Sequence, residues 1–95
     1  MSKYRKPLKF KIDDETWTIR YSKRILSSGV CDYERRTITI HPTRHDEQGT
    51  MDTEVHELMH VAFPHHREDV ISRGAKIVAQ MLWELGYRRQ KPEAG

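Results

Sequence analysis

The hydrophobic period of this chain changes once, near residue 41, and no other feature constrains its fold as much. Before that point, apolar and polar residues alternate. Leu8, Phe10 and Ile12 are separated by lysines, and Trp17, Ile19 and Tyr21 by threonine and arginine. Period two on both sides of the acidic turn Asp13-Asp14-Glu15 predicts a β-hairpin with one buried face. Residues 30–33 and Thr37-Ile38-Thr39-Ile40 flank Glu34-Arg35-Arg36, which predicts a second hairpin. Residues 22–29 fit either a short helical turn or a loop. Pro42 ends the β-branched run, because proline has no N–H to give a ladder.

Beyond the polar loop at 41–50 the period becomes helical. A helix is expected from Thr50 or Asp52, either of which can cap free N–H groups. Val55, Leu58, Met59 and Ala62 fall at i, i+3, i+4 and i+7 and predict a buried stripe. Pro64 disfavours helical geometry at Phe63 and stops this helix. A second helix is expected from Glu68, with acids at its positive end and Ile71, Ala75, Val78, Leu82 and Leu85 as its apolar face. Gly86 is placed to cap it, with Arg88 and Arg89 beyond its negative end, and Gly74 inside it marks a close approach by the first helix. Strands first and helices after make the class α+β: a small antiparallel sheet of two hairpins packed against two helices.

At 95 residues the chain accommodates one domain, 1–95, with residues 1–6 and 90–95 expected as flexible tails. Apolar residues make up 36% and charged residues 33%, which is polar for a globular chain but not the profile of a disordered one. No apolar run is long enough to span a membrane, and the first residues lack the apolar core of a secretory signal. The single cysteine, Cys31, cannot found an internal disulfide framework, so a reducing, cytoplasmic location is expected. Basic residues concentrate at the two ends, while residues 12–87 carry an acidic excess. Solvated tails are the expected reading of those ends, with nucleic-acid contact the less favoured one.

All six histidines lie between residues 41 and 66. At their centre stands His56-Glu57-Leu58-Met59-His60, the pattern H-E-x-x-H, expected by chance roughly 0.03 times in a chain of this length and composition. On a helix, His56 and His60 sit one turn apart on one face and can both reach one metal ion. Glu57 is about 100° round the helix from His56. That puts it beside the ion, where a general base for a bound water belongs. The predicted apolar stripe would leave this motif on the opposite face, just ahead of a turn rich in ligand-type residues.

The motif, following a hairpin that ends Thr37-Ile38-Thr39-Ile40, resembles the zincin metallopeptidases. From Cys31-Asp32-Tyr33 through His60-Val61-Ala62-Phe63-Pro64 to Glu68-Asp69-Val70, the chain is similar to very short zincin-like proteins of phages and bacteria. The likeness covers roughly residues 29–87. It implies Zn²⁺ held by His56 and His60, Glu57 as general base, and an edge strand, expected at Thr37–Ile40, beside which an extended peptide could pair. A catalytic zinc takes three protein ligands and an open water position. Glu68, at the start of the second helix, is the favoured third ligand, because an acidic pair of the short zincin-like proteins matches Glu68-Asp69. His66 is the alternative, with Asp69 and His65 behind it. His66 has metzincin spacing, but Phe63 stands where that motif has the glycine of a sharp turn.

The implied function is a zinc-dependent peptidase acting on a peptide or protein substrate. Tyr33, His41, His45 and Tyr87 are oxyanion-donor candidates by residue type. The alternative is a non-catalytic zinc domain that binds a protein or nucleic-acid partner. A third reading, a zinc endoribonuclease with ligands His56, His60 and His66, is disfavoured because that group carries glycine where Glu57 stands. Trp17 and Trp83 are expected as packing residues, Met51, Met59 and Met81 as core filler, and Cys31 as a small buried group rather than a ligand.

Overall fold

Both hairpins form, but the strand order joins them in a way that periodicity does not reveal. The computed structural model describes residues 6–89. In it the chain runs β1 (Leu8–Ile12), β2 (Glu15–Tyr21), β3 (Gly29–Asp32), β4 (Thr37–Ile40), α1 (Glu47–Ala62) and α2 (Glu68–Glu84). Of the tails expected at residues 1–6 and 90–95, all but Lys6 lie outside the described residues. β1 and β2 pair antiparallel with Phe10 opposite Trp17, across a turn in which Asp13 takes φ 54°. Aspartate tolerates that left-handed region better than most residues. β3 and β4 pair antiparallel with Cys31 opposite Ile38.

The sheet order is β1-β2-β4-β3, with β2 and β4 parallel and Ile19 opposite Ile38. The sheet is therefore mixed, not purely antiparallel. Residues 22–28 form no helix and carry the chain past the slot that β4 later fills. The Ser22 N–H donates to the Ile40 carbonyl, and the His41 N–H to that of Ser28, which fixes the crossover at both ends. Burial explains the order. Ile38, Thr39 and Ile40 are all buried, so β4 needs neighbours on both sides. Thr37–Ile40 is thus an interior strand, and the edge expected there belongs to β3.

Trp17, Ile19, Ile38 and Ile40 form the core, with Phe10, Ile12, Tyr21, Cys31 and Val61 packed against it. α1 begins earlier than the sequence suggests. The Asp46 carboxylate accepts from the Gly49 N–H at 2.8 Å and caps the helix five residues ahead of Met51, its first apolar side chain. It ends at Ala62, where the Phe63 N–H still donates to Met59 and Pro64 forbids another turn.

The expected buried stripe of α1 is not its buried face. Thr50 and Glu57 are buried beneath it, Val55 and Met59 are half-buried, and Leu58 and Ala62 are exposed. α1 lies over β3 and β4, and α2 packs on α1 without touching a described strand, giving three layers. α2 starts at Glu68 and buries Ile71, Ala75 and Ala79, whereas Val78, Met81 and Leu85, expected inside, are exposed. α1 is too narrow to cover the whole apolar arc of α2. At Gly74 a Cβ would stand 2.8 Å from Met59 Cε, which is the close approach its position implied. Gly86 takes φ 94° and closes the helix, and the Arg88 guanidinium lies 3.3 Å over the half-buried Trp83 ring. No helix of the described residues is long and apolar enough to cross a membrane.

Two substitutions should separate core from clearance in urea unfolding. Ile38→Ala, at a position with no exposure, should cost about 2–5 kcal/mol. Gly74→Ala should be close to neutral, because the overlap is with the free end of Met59 and alanine favours a helix by about 1 kcal/mol over glycine.

Candidate metal centre

Two helix ends meet at the centre of the histidine cluster. His56 and His60 project from the last turns of α1, and their Nε2 atoms are 3.2 Å apart. Residues 63–67 reverse the chain, so the first residue of α2 arrives beside them. Glu68 places Oε1 2.8 Å from His56 Nε2 and Oε2 2.8 Å from His60 Nε2. One ligand atom from each of the three residues lies within 4.8 Å of the others, and no other such group occurs among the described residues. Two donors each bound to a tetrahedral zinc at about 2.0–2.1 Å sit about 3.4 Å apart. The imidazole pair already has that spacing, and the carboxylate needs to withdraw by only a fraction of an ångström. The residues therefore fit a zinc ion. Without one, the carboxylate bridges the two rings as a polar clamp between α1 and α2.

Glu57, next to His56 on the helix, turns toward the sheet and is 8% exposed. Its side chain packs on the backbone of Gly29 in the edge strand: a Cβ there would meet Glu57 Cγ and Oε2 at 3.0 Å and Thr53 Cγ2 at 2.8 Å. Burial raises the Glu57 pKa, and Glu68 adds to the rise, while His56 and His60 oppose it. The carboxyl thus holds its proton more tightly than an exposed glutamate and remains in an electrostatic field set by both imidazoles.

His56, Glu57, His60 and Glu68 line one cleft of about 510 Å³ together with Gly29, Val30 and Cys31 of β3 and with Tyr33. Of the four oxyanion candidates, only Tyr33 lines this cleft. Its hydroxyl donates to the His60 carbonyl at 2.8 Å, and its ring meets Trp17 edge-on. Burial, then the neighbouring Cys31, Glu57 and Glu68, raise its pKa above the ordinary phenol value, so it stays a donor at neutral pH. Cys31 is half-buried, and burial with the charge of Glu57 pushes its thiol to about 11.

The other candidates lie elsewhere. The exposed His66 ring packs on Phe63, His65 is exposed in the same turn, and Asp69 is held by Arg67, which lowers its pKa. His45 contacts Ser28 Oγ at 2.7 Å, a clamp between two loops, and His41 and Tyr87 do not reach the cleft. Sequence reasoning missed Gly29 as a site residue. The available signal was a glycine directly ahead of a strand, which can mark a close backbone approach. Comparison with protein-family models, curated proteins and solved structures found no match.

The Glu57 shift has a defined sign. A carboxyl whose pKa is higher in the folded protein makes folding less favourable as pH rises from its ordinary value near 4.5 through the raised one. Glu57→Gln should therefore raise the Tm of metal-free protein at pH 7 and remove that loss, as read by thermal melts in chelator across pH 4–8. Gly29→Ala should destabilise by about 1–3 kcal/mol, because Thr53 is β-branched and cannot turn aside.

Proposed function

We propose that this protein is a zinc-dependent peptidase. The observation that carries the reading is the convergence of His56, His60 and Glu68 on one point, with the carboxylate of Glu57 in the same cleft. Three protein ligands leave a tetrahedral ion one position for water or substrate. A purely structural site has no use for a second, buried carboxylate beside the ligands, and that favours hydrolysis over a non-catalytic zinc module.

Zinc bound here would act as a Lewis acid on a carbonyl oxygen and bring a water toward ionisation at neutral pH. Glu57 takes the proton of the attacking water and returns it to the leaving amine. Its burial suits this exchange, because a raised pKa brings the carboxyl nearer the working pH. The Tyr33 hydroxyl, kept protonated, is the nearest donor for charge developing on the carbonyl oxygen, and it serves there by turning from the His60 carbonyl to the substrate. β3, the sheet edge that lines the cleft, offers backbone groups to an extended peptide. The substrate class is accordingly a peptide or an unfolded protein segment. The single unpaired thiol of Cys31 suits action in a reducing cytoplasm.

Metal analysis after dialysis against limiting zinc should find one equivalent per chain. His56→Ala and Glu68→Ala should each lose stoichiometric binding. Glu57→Gln should keep the zinc and lower peptide hydrolysis by about 10²–10⁴-fold. Full hydrolysis by that variant would refute the role of Glu57 and return the protein to the binding-module reading.

A further inference from the structure

The flank of α1 opposite the cleft carries an apolar groove. α1 lies over β3 and β4 and reaches β2 through the Tyr21 hydroxyl, which donates to the Glu54 carboxylate, so it is the outer part of the sheet, toward β1, that no helix covers. There Leu8, Phe10 and Tyr21 face Met51, Val55 and Leu58 across about 730 Å³. Four strands span roughly 19 Å at about 4.8 Å each, and packed helices sit about 8–10 Å apart, so this sheet takes two helices side by side. α1 supplies one of them. The groove is the place of the second.

α2 carries a matching surface. Val70, Ile77, Met81 and Leu85 fall within about 80° of helical arc. All four are exposed, Met81 by 57% and Leu85 by 72%. Val70 is about 200° round α2 from Glu68, and Leu58 about 200° round α1 from His56. With Glu68 and His56 both at the cleft, stripe and groove therefore share the opposite flank. Their charges are complementary. Asp46, Glu47, Glu54 and Arg89 line the groove; Arg89 pairs with Glu54 and lies over the Tyr21 ring, Asp46 caps α1, and Glu47 is left without a partner among the described residues. Arg73 lies beside the stripe, exposed and equally unpartnered among the described residues.

We infer that the chain associates as a two-fold dimer in which α2 of each copy lies in the groove of the other. A single symmetry operation then covers both apolar surfaces of both copies and gives each sheet its second helix. A stripe and a groove on the same flank are what such a closed, reciprocal contact requires. The inference does not depend on the metal or on catalysis.

Sedimentation equilibrium across the micromolar range tests it. The chain should run at twice its 11.3 kDa mass. Met81→Glu in the stripe and Leu58→Glu in the groove should each weaken association at least tenfold. Both positions are solvent-exposed, and circular dichroism and a cooperative thermal melt should show each variant folded. A monomer at every concentration would overturn the inference and assign the groove to another occupant, either the chain's own ends or a different protein. A dimer weakened by Met81→Glu but indifferent to Leu58→Glu would overturn it too, because the stripes would then be pairing with each other.

Discussion

A carboxylate taken out of water costs several kcal/mol unless nearby groups offset it. Glu57 is taken out of water by the direct packing of α1 on Gly29, where the missing side chain lets the helix settle onto the strand backbone. The positions of the other parts follow from this contact. The face that α1 turns to the sheet is polar, Thr50 and Glu57, and it meets the core cluster through Val61 and through the hydrogen bond from Tyr21 to Glu54. A helix seated so weakly needs support from elsewhere. Met59 meets α2 at Gly74, and the His56–Glu68–His60 clamp joins the end of α1 to the start of α2.

The site was more legible in the sequence than the architecture, for a physical reason. H-E-x-x-H is a local pattern, and helical geometry alone carries it to a pair of imidazoles facing one point. Glu68 was reached through the resemblance to short zincin-like proteins, with His66 left as the alternative, and Pro64 marks where the first helix stops. Strand order is a different matter. Alternation in β2 and β4 states which side chains face inward but not which strands are neighbours. The parallel β2–β4 pairing depends on a crossover through residues 22–28 that has no periodic signal. The start of α1 was hidden because Glu47, Gln48 and Gly49 have no apolar side chain, and Gly49 reads as a breaker where it serves as the donor to the Asp46 cap.

The misread stripe is the most instructive difference. Val55, Leu58 and Ala62 make a regular apolar row, and periodicity places such a row inward. In this fold the inward face belongs to Thr50 and Glu57, because Glu57 can pack on Gly29 at the sheet edge only if the helix is rotated that way. The same rotation displaces the apolar row to the flank. An amphipathic pattern therefore records a face that avoids water, and it does not say whether the cover comes from the same chain.

α2 brings the two flanks of α1 into one account. It touches no described strand, so its position is fixed by α1 and, just beyond its end, by Arg89, which binds Glu54 of α1 and Tyr21 of β2. On one flank Glu68 holds it at the cleft, and on the other it carries an uncovered apolar stripe. A metal ion ligated by both helices would lock the first contact, since its binding energy becomes folding energy when the ligands are brought together only in the native state. A helix seated in the groove would lock the second by bracing α1 against rotation. Both braces act on the same degree of freedom, the roll of α1 about its axis. That roll sets how far the His56–His60 pair stands from Glu68 and how Glu57 meets Gly29, so engaging both flanks of α1 would hold these four side chains in one arrangement.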